Sequence, residues 1–77
     1  MLMVPLTHIR KNCRCRVRGS RGRQRRRNEA LGFVPGEELT VIQSNQGNLI
    51  VCLRGCRYAL DRDQANSIFV EDCNEES

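Results

Sequence analysis

Residues 31–36, Leu-Gly-Phe-Val-Pro-Gly, reverse the direction of the chain twice within a very short stretch. Gly32 ends a run with helical spacing and can adopt the left-handed conformation that closes a helix. Pro35 and Gly36 suit the two central positions of a type II turn. A helix must therefore end here and a strand must follow. We expect the apolar residues of this motif, Leu31 and Phe33, to be held together over the open side of a small sheet.

The length and composition limit what this chain can build. A chain of 77 residues that is 39% hydrophobic forms one domain with a small core. No apolar run reaches the roughly 20 residues that span a bilayer, and the N-terminal residues lack the features of a signal peptide. We therefore expect a cytoplasmic protein that does not insert into a membrane. An odd number of cysteines, five, without a secretory signal favours reduced thiols over a disulfide framework.

Apolar and polar residues alternate in several short segments, as they do in half-buried strands. The first is residues 13–17, with Cys13, Cys15 and Val17 on one face and the arginines on the other. Further strands are predicted at residues 38–43, 49–53, 56–60 and 67–70, with residues 19–22 and 44–48 as loops. The sequence thus predicts a mainly β protein of about five short strands, with one domain over residues 1–70 and an acidic, disordered tail over residues 71–77.

One short helix is predicted over residues 23–31, before the second of these strands. Counting back from Leu31 places Gln24, Arg27 and Asn28 towards the sheet, and all three are polar. We therefore expect the helix to pack weakly. If Asn28 faces the core, replacing it with leucine should stabilise the domain.

Charge is distributed very unevenly along the chain. Residues 1–28 contain nine arginines and Lys11 without an acid, whereas residues 29–77 contain nine acids against three arginines. This asymmetry exceeds what solubility requires, and it favours a surface that binds an acidic partner. The predicted partner-binding residues lie on the first strand and on the helix: Arg14, Arg16, Arg18, Arg23, Arg26 and Arg27. A merely solvated surface and a phosphate-binding surface for nucleic acid remain alternatives.

The sequence gives little support for a metal site, a catalytic site or a phosphate-binding site. The spacings of Cys13 with Cys15 and of Cys52 with Cys56 differ from the loop knuckles of structural zinc sites, so we predict no metal and no cofactor. His8 is the single histidine and has no nucleophile at a characteristic spacing. No phosphate-binding glycine motif occurs. We therefore predict that the protein is not an enzyme and has no catalytic residues.

The Leu-Gly-Phe-x-Pro-Gly motif after an arginine-rich helix resembles the ferrous iron transport protein A (FeoA) family. Residues 5–7, 51–55 and the apolar positions between residues 59 and 70 are similar to further segments of that family. Asn12 and Asn28 depart from it, where Gly and Leu are usual. The resemblance implies an SH3-like barrel and an accessory or regulatory protein of bacterial ferrous iron uptake, which binds the cytosolic part of the membrane iron-transport GTPase. A nucleic-acid-binding barrel and a metal-responsive regulatory module are the alternative functions.

Overall fold

The computed structural model describes residues 3–72, which form six strands and two short α-helices. In chain order these are β1 (Val4–Pro5), β2 (Arg14–Ser20), α1 (Arg25–Leu31), β3 (Glu38–Asn45), β4 (Asn48–Leu53), β5 (Cys56–Leu60), α2 (Arg62–Asn66) and β6 (Ile68–Asp72). Short 3₁₀ turns cover Leu6–His8 and Gly22–Gln24. Neither helix, nor any other part of residues 3–72, provides a helical span long and apolar enough to cross a membrane.

All six strands belong to one antiparallel sheet with the order β1-β6-β2-β3-β4-β5. The sheet curves around a single core, which confirms the mainly β, SH3-like prediction. The core contains the predicted inward residues of every strand from β2 to β6, together with Leu6, Ile9 and Ala65. Phe33 is fully buried, and the ring of Tyr58 packs against it edge to face with 5.3 Å between centroids.

The motif at residues 31–36 folds as predicted at the level of the backbone. Gly32 has a φ of 108° and ends α1, and Gly36 has a φ of 96°. The Glu37 N–H donates to the Val34 carbonyl at 3.1 Å, which closes the type II turn. Both glycines therefore hold conformations that favour glycine.

The prediction for the side chain of Leu31 is wrong, because this residue is 36% exposed and lies outside the core. The inward stripe of α1 runs through half-buried Gln24, fully buried Asn28 and Gly32, each four residues from the last. Leu31 lies beside that stripe. Phe33 alone plugs the sheet, and Arg27 is exposed instead of inward.

Several strands are longer than predicted. β2 continues to Ser20 because a bulge between Val17 and Gly19 lets it stay paired with β6. β3 and β4 approach each other so closely that the predicted loop shrinks to Gln46 and Gly47, both with positive φ. β6 runs to Asp72, so the first two residues of the predicted tail are in the sheet; residues 73–77 lie outside the described part of the chain. β1 was not predicted, and with it the helix precedes the third strand.

Candidate docking surface

Arg16 lies on the outer face of β2 between two acidic residues of the neighbouring strands. Its register partners are Glu38 on β3 and Glu71 on β6, and its Nη2 donates to Glu38 Oε2 at 2.6 Å. The side chain is only half-exposed as a result. Arg14, at the start of the same strand, also interacts with other residues of the chain. The first half of the predicted arginine stripe is therefore partly neutralised within the sheet.

The second half of the predicted surface has a different character. Arg18 is exposed at the bulge of β2, and the chain then passes through the 3₁₀ turn Gly22–Gln24 into α1. The exposed arginines of this stretch make no ion pair with any residue between 3 and 72. We call them the cationic segment: Arg18, Arg21, Arg23, Arg26 and Arg27. Arg25 is not included, because its Nε donates to Glu29 Oε2 at 3.1 Å.

Arg18 and Arg21 come together at a shallow hollow beside β6. The hollow has a volume of about 190 Å³ and is lined by these two residues with Met3, Phe69 and the intervening backbone. The Arg21 guanidinium lies 4.8 Å from the centre of the Phe69 ring, a cation–π contact. The structure thus adds Arg21, Met3 and Phe69 to the predicted surface. Phe69 could have been found from its outward position in the last strand.

A buried polar cluster fixes α1 to the sheet. Asn28 Nδ2 donates to Ser67 Oγ at 2.9 Å and more weakly to Ser20 Oγ at 3.3 Å, while Gln64 Nε2 donates to Asn28 Oδ1 at 3.0 Å. Asn28 is fully buried and Gln64 nearly so. The cluster joins α1, α2, β2 and the residue before β6. The helix is therefore anchored by hydrogen bonds, which corrects the prediction of weak packing and sets the orientation of the arginines on α1.

The four cysteines within residues 3–72 do not gather into one site. Cys15 is buried in the core with half-buried Cys13 beside it, whereas Cys52 is half-buried on β4 and Cys56 is exposed on β5. Within residues 3–72, no three side chains of His, Cys, Asp or Glu are grouped so that they could hold a metal ion. His8 is exposed after the opening 3₁₀ turn.

One ion pair shifts the pKa values of both of its residues. Arg54, in the turn between β4 and β5, donates to Glu37 from Nε at 3.1 Å and from Nη2 at 2.7 Å. This bidentate hydrogen bonding lowers the pKa of the Glu37 carboxyl and raises that of Arg54. The contact ties the β4–β5 turn to the residue that follows the type II turn.

The fold is shared with several solved structures of low sequence identity. A FeoA-like protein from Clostridium acetobutylicum is 22% identical, with a TM-score of 0.89 over 100% of this chain and 94% of that one. Stenotrophomonas maltophilia FeoA, solved with zinc and described as a procaryotic SH3 domain protein, is 23% identical, with a TM-score of 0.79 over 92% of this chain and 91% of that one. IdeR from T. acidophilum is 17% identical, with a TM-score of 0.80 over 94% of this chain but only 35% of that one.

No curated protein sequence matches this chain significantly. The model of the FeoA domain, by contrast, matches residues 4–72, which is nearly the whole part of the chain that folds into the sheet and its helices. The match begins at β1 and ends with β6. The chain belongs to the FeoA domain family.

Proposed function

We propose that this protein is a small, non-enzymatic accessory protein of bacterial ferrous iron uptake. It acts by binding another protein, the cytosolic part of the membrane GTPase that transports ferrous iron. Membership of the FeoA domain family supports this proposal. So does the fold shared with S. maltophilia FeoA, which is described as a candidate ferrous iron transport activating factor. The protein is cytoplasmic, and this partner recruits it to the inner face of the membrane.

The observation that carries a docking function is the cationic segment. Its five arginines are exposed and have no acidic partner between residues 3 and 72, although the second half of the chain is acidic. The acids of β3 and β6 are placed beside Arg16 instead. Charges that the fold leaves unpaired attract a partner of opposite sign and orient it during the encounter. The segment therefore fits an acidic surface on the GTPase.

The test reverses two of these charges on α1 and its preceding turn. Arg23→Glu with Arg26→Glu changes exposed side chains that make no ion pair, so the melting temperature should stay close to that of the parent. The affinity for the purified cytosolic part of the GTPase, measured at physiological salt, should fall on the order of tenfold or more. Undiminished binding would remove the cationic segment from the mechanism.

The matched control carries the same change in charge at the other end of β2. Arg10→Glu with Lys11→Glu alters two exposed residues that precede the strand. The seven-residue strand Arg14–Ser20, about 20 Å long, lies between them and the 3₁₀ turn that follows. The control should keep most of the affinity. An equal loss in both variants would show that only total charge matters and that no docking surface exists here.

A nucleic-acid partner is the main competing outcome of this test. The single-stranded binders that use aromatic stacking need an open ring, but Phe33 is buried and Phe69 is covered by Arg21. If the protein bound many unrelated DNA or RNA sequences with an affinity that fell steeply with salt, nucleic-acid binding would replace the proposal. GTPase binding that required added ferrous iron would instead favour the metal-responsive module.

A further inference from the structure

Among residues 3–72, the sheet has one edge of useful length that no strand covers. β5 is the last strand in the sheet order, and within the described part of the chain it pairs only with β4. At the opposite end, β1 has two residues and one of them is Pro5, which has no N–H to donate. Open edges readily pair with another strand, and proteins normally shorten or block them. β5, with five residues and no proline, is neither shortened nor blocked in this way.

The turn before β5 determines which backbone groups face the open side. Arg54 and Gly55 both have positive φ, 54° and 79°, which is the pattern of a two-residue type I′ hairpin. In such a hairpin the flanking residues, Leu53 and Cys56, exchange hydrogen bonds with each other. Because backbone groups alternate in direction along a strand, the N–H and C=O groups of Tyr58 and Leu60 also point towards β4. The N–H and C=O groups of Arg57 and Ala59 point away from the sheet and are available to a new strand.

The side chains along this edge carry a self-complementary pattern. Arg57, Ala59 and Asp61 alternate with the inward residues, and all three are exposed. Arg57 has no ion pair among residues 3–72. Asp61 caps α2 by accepting from the Gln64 N–H with Oδ1 at 2.9 Å, which leaves its second oxygen available. In chain order, the exposed side chains of this edge are therefore a cation, a small residue and an anion. This order is complementary to that of a second copy running in the opposite direction.

We propose that a second copy of this chain pairs with β5 through the same edge. The two strands run antiparallel about a twofold axis at Ala59, so that the two Ala59 residues face each other. Arg57 of each copy then lies opposite Asp61 of the other, and two ion pairs form. A register centred on Arg57 would oppose two arginines and is disfavoured. The proposal is independent of the function proposed above.

A groove beside the edge offers space for the arginine of the second copy. It has a volume of about 440 Å³ and spans the ends of β3, β4 and β5, with Leu49, Ile50, Ala59 and Leu60 among its lining residues and Asp61 at its end. A strand added at β5 brings the Arg57 of the second copy to this groove. The aliphatic stem of that arginine can cover the apolar lining while its guanidinium reaches the Asp61 carboxylate.

The first experiment measures mass in solution. Sedimentation equilibrium of the full chain over a series of concentrations should show a reversible monomer–dimer equilibrium. Ala59→Arg places two arginines at the axis, and Arg57→Glu places Glu opposite Asp61, so each should raise the dissociation constant at least tenfold. Asp61→Asn keeps the cap acceptor and should weaken the dimer less. Arg10→Glu, the control for a change of charge, should leave the dimer unchanged.

The second experiment tests the register. In an antiparallel pair that exchanges hydrogen bonds, the Cα atoms of opposed residues lie about 5.5 Å apart, which a disulfide can bridge. Ala59→Cys should therefore form a covalent dimer rapidly with diamide as the oxidant. Ala30→Cys, at an exposed position on α1 that does not line the groove, is the control and retains the same native cysteines.

A parent protein that stays monomeric at every concentration, or equal crosslinking of the two cysteine variants, would overturn the proposal. Dimerisation that Ala59→Arg and Arg57→Glu both leave intact would do the same. These measurements contain no GTPase. Their failure would leave the proposed docking function untouched, and a failure to bind the GTPase would leave the dimer untouched.

Discussion

At the scale of single residues, Asn28 shows how a polar side chain can replace an apolar one at the centre of a packing interface. It is fully buried, and its amide both donates and accepts within a cluster that joins two helices, β2 and the residue before β6. A buried amide stabilises a fold only when its hydrogen bonds are made, and loss of one partner exposes the other to the full cost of desolvation. The helix position that the sequence predicts to weaken the packing of α1 therefore holds the helix to the sheet through hydrogen bonds.

We expect Asn28→Leu to destabilise the domain by about 1 to 3 kcal/mol, since it leaves the buried Gln64 amide without its acceptor. This reverses the expectation from the sequence. Denaturant unfolding of the single variants and of the double variant Asn28→Leu with Gln64→Leu measures the coupling. The double variant removes both partners, so it should be more stable than the two separate losses predict. Simple additivity would mean that the hydrogen bond contributes nothing.

The Arg54–Glu37 pair should produce a specific dependence on pH. Arg54 lowers the pKa of the Glu37 carboxyl in the folded protein. The pair therefore stabilises the fold above the unfolded pKa, about 4.3, and this contribution disappears as the pH falls through the lowered folded value. Arg54→Asn keeps a residue that tolerates positive φ but removes the guanidinium. In this variant an NMR titration should show the Glu37 pKa returning towards its ordinary value.

Thermal melts supply the control for that titration. The difference in melting temperature between parent and Arg54→Asn should be largest near neutral pH and should shrink under acid conditions. A constant difference across the range would assign the effect of the substitution to the turn conformation and not to the ion pair.

At the scale of elements, neighbouring strands decide which arginines are free. Arg16 and Arg18 look equivalent in the alternating sequence of β2, but Arg16 has acids on both sides, whereas Arg18 occupies the bulge. The sequence alone cannot give this difference, because it depends on strand register and on a bulge.

We expect Arg16→Glu to lower the free energy of unfolding, because it places a carboxylate beside both Glu38 and Glu71. Like charges directly opposite on adjacent strands are destabilising, and the effect here should be about 1 kcal/mol. Arg18→Glu, with the same change of charge on the same strand, should alter stability by less than about half of that amount. Equal effects in urea unfolding would contradict the assigned register.

The two glycines of the motif at residues 31–36 should differ in their tolerance of alanine. Both have positive φ, but a Cβ at Gly32 would lie 3.3 Å from Leu53 Cδ2, whereas Gly36 has open space. Gly36→Ala should cost roughly 1 kcal/mol from backbone strain, and Gly32→Ala should cost more. Gly19→Ala, at a position with neither positive φ nor a close neighbour, serves as the control. The reverse order in thermal melts would contradict this account.

The elements themselves were largely predictable because their causes are local. Alternation identified β2 to β6, and the conformational freedom of Gly32 and Gly36 placed the end of α1 and the turn after it. An extended start at residues 4–6 could be predicted from Pro5, but the strand β1 could not, since two residues carry no period and its pairing with β6 is long-range. The side-chain position of Leu31 could not be predicted either, because tertiary contacts of Asn28 determine which face of α1 points inward.

At the scale of the whole molecule, the charge asymmetry of the sequence predicted a basic surface on the first strand and the helix, but not which of its arginines lie beside acidic residues. β3 and β6 pair with β2 and place Glu38 and Glu71 beside Arg16, which neutralises part of the basic surface. What remains is the cationic segment, which the sheet order separates from β5 by β3 and β4. A dimer formed through β5 would therefore present two cationic segments, and binding at two sites raises apparent affinity without a new contact.

Removal of residues 73–77 tests the balance between the acidic end and the basic surface. This segment contains Glu75 and Glu76, so its removal raises the formal charge of the chain by two, and it leaves the six described strands intact in sequence. We expect a melting temperature close to that of the parent and tighter GTPase binding at low salt, with the gain screened at high salt. A large loss of stability would show instead that the segment belongs to the fold.

The place of β6 between β1 and β2 has a consequence for how the protein is made. β6 leaves the ribosome after β1 to β5 and is the strand that joins β1 to β2, so β1 and β2 have no complete set of partners until β6 has been made. β3, β4 and β5 can form their local hairpins earlier, but the long-range pairing with β6 must wait. Products terminated before residue 68 would therefore expose unpaired strands to aggregation and to proteases.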